Sequence, residues 1–328
     1  MDSNNQEVAE EVLPFIRVYK NGRVERLKGS SFVPPSLNDP ETGVSSKDIV
    51  ISPESGISAR LYLPKDNKEK LPLYVYFHGG GFCVESAFSF LDHRYLNHLV
   101  SQSSIVAVSV EYRLAPEHPL PVAYDDCWAA FQWVAAHARG GGDDNTTIVA
   151  APETWLTTHA DFDRVFVGGD SAGGNIAHNI ALRAGKNDLP HGFKIYGALL
   201  VHPFFWGSQR IGSELAADPN RREIQESLWK LVAPFSSGID DPMINPVAAG
   251  APSLAEIGCS RVLVCVADGD VFRDRGKLYW EELKKSGWKG KAELFEIEGE
   301  GHAFHIYNPV CENAVVMIKR MASFLNSN

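Results

Sequence analysis

The chain is expected to fold as an α/β protein with a doubly wound, mainly parallel central sheet, and two observations predict this. From residue 71 onward, short and nearly continuous apolar runs alternate with helix-length amphipathic segments. A run that is apolar on both of its faces suits a strand covered by helices on each side, whereas a strand with one wet face alternates apolar and polar residues.

Taken in order, the chain starts with a small antiparallel unit. Ile16–Lys20 and Val24–Leu27 flank Asn21-Gly22, a two-residue hairpin signal because both positions tolerate positive φ. A Pro- and Ser-containing stretch from Ser31 to Ser46 follows, then β-rich segments at Asp48–Ser52 and Ile57–Leu63. The buried strand candidates are Leu73–Phe77, Ile105–Val110, Val165–Gly168, Ile195–Val201, Val262–Ala267 and Leu294–Ile297. Helix candidates lie between and after them, at Ser89–Ser101, Val122–Ala138, Gly174–Ala184, Asp274–Ser286 and Val310–Leu325. In the last of these Val315, Ile318, Ala322 and Leu325 form one buried face. Gly140–Thr147 reads as an exposed loop, and residues 204–255, with a helix near Arg222–Val232, read as an insertion over the sheet.

Composition narrows the function classes. The 328 residues are 44% hydrophobic and carry a net charge of −10, enough apolar content for a large core and the wrong sign for a nucleic-acid or anionic-membrane surface. The five cysteines, Cys83, Cys127, Cys259, Cys265 and Cys311, have no CxxC spacing, so neither a disulfide framework nor a zinc site is expected. The acidic, polar start MDSNNQEVAEEV lacks the apolar core of a secretory signal and the Arg-rich character of a transit peptide, and no apolar run approaches the roughly 18 residues of a membrane span. A cytoplasmic location is expected, with the glycosylation sequon Asn145-Thr146-Thr147 unused.

The strongest motif is Gly169-Asp170-Ser171-Ala172-Gly173, a G-x-S-x-G between a strand candidate and a helix candidate. That context presents a serine hydroxyl on a sharp strained turn above the sheet, beside a helix N-terminus that favours developing negative charge. His78-Gly79-Gly80-Gly81 follows the strand Leu73–Phe77, and its side-chain-free amides can point at an oxyanion. The expected donors are the N–H groups of Gly80, Gly81 and Ala172, with His78 holding the loop. A serine nucleophile needs a base, and the order nucleophile, acid, base places the histidine near the C-terminus. His302, in Gly301-His302-Ala303-Phe304 after the strand candidate Leu294–Ile297, is preferred over His305; His78 and His202 also follow strands but fail that order. For the acid, Asp270 is chosen from Asp268, Asp270 and Asp274, which all follow Val262–Ala267. No cofactor or metal is expected: the His302 and His305 pair has no carboxylate cluster beside it in the sequence.

These motifs, with Tyr112-Arg113-Leu114-Ala115-Pro116-Glu117, resemble the hormone-sensitive-lipase-type branch of the α/β-hydrolase superfamily. The segments Val18–Arg26 and Asp39–Val44 are similar to plant carboxylesterases and 2-hydroxyisoflavanone dehydratase-like proteins, and the resemblance covers essentially the whole chain. It implies an α/β-hydrolase fold as a single domain over 1–328, with a cap built from an N-terminal lid segment (1–45) and the insertion (204–255). It also implies oxyanion amides at Gly80 and Gly81 and an acid at Asp270. Gibberellin receptors of this branch lack the catalytic histidine, the best-known isoflavanone dehydratases carry Thr at the nucleophile, and alkaloid cyclases have a disrupted glycine loop and lose the terminal histidine. Here His302, Ser171 and the glycine loop are all present. The expected function is therefore a serine carboxylesterase acting on small-molecule acyl esters in plant specialised metabolism or detoxification. A dehydratase-like or cyclase-like lyase is the alternative, and a small-molecule hormone receptor a more distant one.

Overall fold

The computed structural model describes residues 7–65, 70–138, 152–189, 192–215 and 218–327. The expected loop at Gly140–Thr147 and its sequon lie outside them. In chain order the elements are β1 (Val8–Val12), β2 (Ile16–Tyr19), β3 (Val24–Arg26), β4 (Ser45–Ser52), β5 (Ile57–Leu63), β6 (Leu71–Phe77), α1 (Phe90–Ser103), β7 (Val106–Glu111), α2 (Val122–Ala135) and α3 (Thr154–His159). They continue as β8 (Ala160–Asp170), α4 (Ala172–Lys186), β9 (Ile195–Val201), α5 (Pro219–Val232), β10 (Cys259–Ala267), α6 (Arg273–Lys285), β11 (Lys291–Ile297), α7 (Phe304–Tyr307) and α8 (Glu312–Leu325).

Eight strands form the central sheet in the order β11-β10-β9-β8-β6-β7-β5-β4. The pairs from β7 to β11 are parallel, and β4 and β5 add an antiparallel edge. Strand β6 shows why the buried strands read as unbroken apolar runs. Leu73, Val75 and Phe77 enter a core shared with α2, α4 and α6, while Tyr74 and Tyr76 enter the opposite core, shared with α1 and α8. Successive side chains of a strand alternate between faces, so a strand with helices on both sides has no wet position to mark with a polar residue.

The N-terminal strands make a separate antiparallel sheet, β1-β2-β3. The hairpin turn differs from the expected two-residue form. Gly22 N–H donates to the Tyr19 carbonyl, and Gly22 has φ +83 while Asn21 is not among the positive-φ residues. Lys20 and Asn21 therefore form the turn and Gly22 the left-handed bulge that follows it. Arg26 clips this sheet to the body, donating to the Cys83 carbonyl at 2.7 Å and to both carboxylate oxygens of Glu117. The segment between β9 and β10 is anchored by a buried ionic cluster. Both Arg275 of α6 and Arg222 of α5 bond to Glu214, and both guanidinium groups lie over the Trp206 ring. Asn175 of α4 adds amide donors to the carbonyls of Phe204 (3.0 Å) and Met243 (2.8 Å). Among the described residues no helix is long and apolar enough to cross a membrane.

Packing is very close where the start of α4 meets the end of β6. A Cβ on Gly173 would fall well inside contact distance of the Phe77 carbonyl oxygen and carbon, both main-chain atoms that cannot swing aside. Gly173→Ala must therefore push α4 off β6. The expected cost is about 1–3 kcal/mol or more, read as a lowered urea midpoint with an unchanged slope. A midpoint within error of the parent would show that α4 does not need this approach.

Candidate active site

Parallel pairing aligns the carboxyl ends of the central strands. Phe77 pairs with Gly169, Asp170 with Val201, Val201 with Cys265, and Ala267 with Ile297. The connections leaving β6, β8, β9, β10 and β11 consequently emerge side by side at one end of the sheet, where open α/β sheets bind their ligands. A cavity of about 260 Å³ opens there. Its wall includes the three loop glycines, Ser171, Phe272 and His302, and its rim carries Phe15 and Lys28 from the N-terminal segment and Leu228 from α5. A wider cleft of about 720 Å³ lies near the opposite, N-terminal ends of β9 and β10, away from every motif described above.

Ser171 sits between β8 and α4 with φ +53 and ψ −116, outside the regions open to ordinary L-residues. The strained turn is fixed at both ends: Ser171 N–H donates to the Val201 carbonyl and Phe204 N–H to the Ser171 carbonyl, each at 2.9 Å. A strained conformation persists only where its surroundings over-determine it. Ala172 is the first residue of α4, and helix-start amides lack intrahelical acceptors.

The glycine loop is held from below. His78 stacks on Tyr112 with centroids 4.1 Å apart, and the Tyr112 hydroxyl donates to the His78 carbonyl at 2.8 Å. Burial lowers the His78 pKa to about 4, so the ring stays neutral near pH 7. Gly80 has φ +92, and a side chain there would meet the Val84 main chain. Neither the Gly80 nor the Gly81 N–H donates to a protein acceptor among the described residues.

Of the three candidate acids, Asp270 is the one that reaches His302, with its Oδ2 2.9 Å from His302 Nδ1. Asp268 is exposed and accepts from Gly299 N–H, and Asp274 in the first turn of α6 accepts from Ser213 N–H. His302 keeps about a third of its side chain accessible through the cavity. Burial disfavours its charge, but the Asp270 carboxylate outweighs this and raises its pKa above the ordinary value. Burial likewise works against an ionised Asp270, and the charge of His302 with the imidazole donors overcomes it, holding the carboxyl far below its usual range. His305, the rejected base, is fully buried, and neither ring nitrogen has a partner among the described residues. Of the aromatics at the start of the insertion, Phe204 lines the cavity, while Phe205 packs on Tyr279 and Trp206 on Phe272.

Several residues here escaped the sequence reading. His202, set aside for its place in the chain, also bonds to Asp270 Oδ2, at 2.7 Å. The donor atoms of His202, Asp270 and His302 lie within 4.8 Å of one another. The 2.7 and 2.9 Å separations are those of shared protons, shorter than the roughly 3.4 Å between ligands on a tetrahedral zinc. The geometry fits hydrogen bonds, not a metal.

Beneath the glycine loop, the buried Tyr76 hydroxyl lies 2.8 Å from Asp92 Oδ1 and 2.6 Å from Asp170 Oδ1. One hydroxyl has one proton to donate, so holding both carboxyls needs a second proton on one of them. Burial pushes both carboxyls upward, and the charge of Asp170 adds to it at Asp92, which lies well above the usual carboxylate range. Stability supplied by this extra proton is complete below about pH 3.9, the unfolded value, and is lost as pH rises through the raised folded-state value. Asp92→Asn, whose amide can donate to Tyr76 Oη, is expected to keep the fold and to gain on the parent in urea midpoint as pH rises. Tyr76→Phe is expected to cost about 1–3 kcal/mol. Parallel pH curves for parent and Asp92→Asn would contradict the shared proton.

Comparison with known proteins agrees with this architecture. A model of the alpha/beta hydrolase fold family matches residues 74–306. A 2-hydroxyisoflavanone dehydratase of Glycyrrhiza echinata is 53% identical over 98% of both chains, and a probable carboxylesterase 2 of Arabidopsis thaliana is 45% identical over 99% of both. Among solved structures, a hyperthermophilic esterase of Pyrobaculum calidifontis is similar at TM-score 0.68 and 30% identity, over 85% of this chain and 84% of that one. Fold, sheet-end cavity and full-length relatives together establish that the chain belongs to the alpha/beta hydrolase fold family, as a carboxylesterase-like member of plant type.

Proposed function

We propose that the protein is a serine carboxylesterase for small acyl esters. Ser171 attacks the ester carbonyl while His302 takes its proton, and Asp270 orients the imidazole and stabilises its charged form. The Gly80, Gly81 and Ala172 amides hold the tetrahedral oxyanion. His302 then protonates the leaving alcohol, and water repeats the cycle on the acyl-enzyme. The N-terminal segment and the 204–255 insertion act as the cap that selects the substrate. The observation that carries this reading is the 2.9 Å bond from His302 to Asp270 in a cavity that His302 shares with the strained Ser171 and the glycine loop.

A second reading has a specific observation in its favour: relatives at 53% and 51% identity are named 2-hydroxyisoflavanone dehydratases. In that chemistry His302 would remove a proton α to a carbonyl, the same amides would hold the enolate, and no oxygen nucleophile would be needed. Replacing Ser171 separates the two. With p-nitrophenyl butyrate, Ser171→Ala is expected to lower kcat roughly 10⁴- to 10⁶-fold, and an organophosphate is expected to label the parent at Ser171. If the parent neither hydrolyses the ester nor is labelled, while a 2-hydroxyisoflavanone is dehydrated equally by parent and Ser171→Ala, the dehydratase reading replaces it.

The pH profile supplies a further check. A base works in its deprotonated form, so kcat/KM rises as pH passes through the His302 value. Because Asp270 raises that value, the acid limb is expected above the ordinary histidine midpoint of about 6.5. A limb below it would contradict the assignment of His302 as a base paired with a buried carboxylate.

A further inference from the structure

The Asp270 carboxylate serves two imidazoles. Its Oδ2 is 2.9 Å from His302 Nδ1 and 2.7 Å from His202 Nδ1, and its Oδ1 accepts the Phe272 N–H at 3.0 Å. His202 follows β9 with φ +46, although the next residue, Pro203, favours extended backbone before it. Its own N–H is tied to the Cys265 carbonyl at 2.8 Å. The ring is sealed from solvent, stacks on His305 with centroids 5.4 Å apart and planes 12° apart, and meets His302 edge-on at 5.6 Å. Its Nε2 has no partner among the described residues, so the ring's hydrogen-bonding rests on the Nδ1 contact with Asp270. A polar ring buried on strained backbone for one contact is costly as packing alone, since an apolar side chain would fill the space without a stranded nitrogen.

We propose that His202 is a positioning residue for the triad that ester hydrolysis uses: it fixes the Asp270 carboxylate and divides that carboxylate's hydrogen-bonding capacity with His302, moderating how tightly Asp270 holds the His302 proton. This rests on the triad reading above for its catalytic consequence, but not for the hydrogen bond itself. The ionisable groups around the pair are few. Asp270 comes from the loop after β10, His302 and His305 from the β11–α8 connection, Asp170 from the end of β8, and Lys28 from the N-terminal segment acts on His302. Across the His305 ring lies Tyr95 of α1. Of these, His202 and His302 are the two whose nitrogens bond to the Asp270 side chain among the described residues.

The test compares His202→Phe, which keeps a ring and removes the donor, with His202→Asn, whose Nδ2 can occupy the place of Nδ1. The readout is the His302 titration midpoint by NMR of protein labelled with ¹⁵N-histidine. His202→Phe is expected to raise that midpoint by roughly one pH unit, because Asp270 then turns its whole charge on His302, and His202→Asn to restore it. The parent is expected to show two strongly downfield Nδ1 protons, of which each variant keeps one. With a p-nitrophenyl ester, the acid limb of kcat/KM is expected to follow the midpoint. A folded His202→Phe with the parent's midpoint, or a parent with one downfield Nδ1 proton, overturns the proposal. If His202→Phe does not fold, the parent's proton spectrum and the Asn variant's midpoint decide it. Should the parent fail to hydrolyse esters while the midpoint shifts as stated, the triad reading falls and His202's hold on Asp270 stands.

Discussion

The site depends on parallel register. Ser171, His202, Asp270 and His302 sit on four different strand-to-helix connections, and the loop glycines sit on a fifth. Nothing local in the chain brings them together. They meet because β6, β8, β9, β10 and β11 run the same way and end at matching levels, Phe77 beside Gly169, Asp170 beside Val201, and Ala267 beside Ile297. A slip by one residue in any pair would turn that strand's end toward the wrong face. The two-sided cores protect the register, since each slip would also exchange residues such as Tyr76 and Phe77 between two differently shaped interiors.

Strain is concentrated where the register delivers the strands. Ser171, His202 and Ala303 all have positive φ, and each stands at or just beyond the end of the sheet. Such residues cost of order 1–3 kcal/mol each, so the surrounding structure has to hold them. The Ser171 turn is clasped by β9 through the Val201 carbonyl, and the His202 turn by β10 through the Cys265 carbonyl. Each strained turn thus leans on the next strand over, and the elbow cannot relax without disturbing the histidines beside it.

The parts of the fold legible in the sequence were those with a local signature. Buried parallel strands announce themselves as apolar runs, and the Gly169–Gly173 turn carries its own steric requirement in its flanking glycines. Strand β1 escaped because three of its five residues are Ala9, Glu10 and Glu11, and four of the five are exposed. Helices α3 and α7 are too short to show a period. In the site, Ser171 and the glycine loop follow from local chemistry; chain order gave the regions of the acid and the base, and the loop context chose Asp270, between the strand end and the helix start, and His302, after Gly301. The contacts of His202, Tyr76 and Asp92 were not legible for one reason. Their roles consist of hydrogen bonds to residues far away in sequence, and an isolated His, Tyr or Asp carries no mark of its partner.

The same contacts explain how the cavity can hold so many ionisable groups without a large field working against the base. Of Asp92, Asp170 and Asp270, the last is the acid held firmly ionised, and it faces imidazoles. Asp92 and Asp170, tied by Tyr76, are pushed the other way and keep a proton between them. Were both of those ionised, a second negative charge would join the one the pair already places near His302 and bind its proton more strongly, and a base that holds its proton too firmly is idle near neutral pH. With the His202 role proposed above, two devices act on one imidazole in the same direction: the Tyr76 clasp limits how much negative charge surrounds His302, and His202 takes part of the carboxylate that His302 touches. The basicity of His302 is set by how the fold shares protons among its neighbours as much as by the carboxylate it touches.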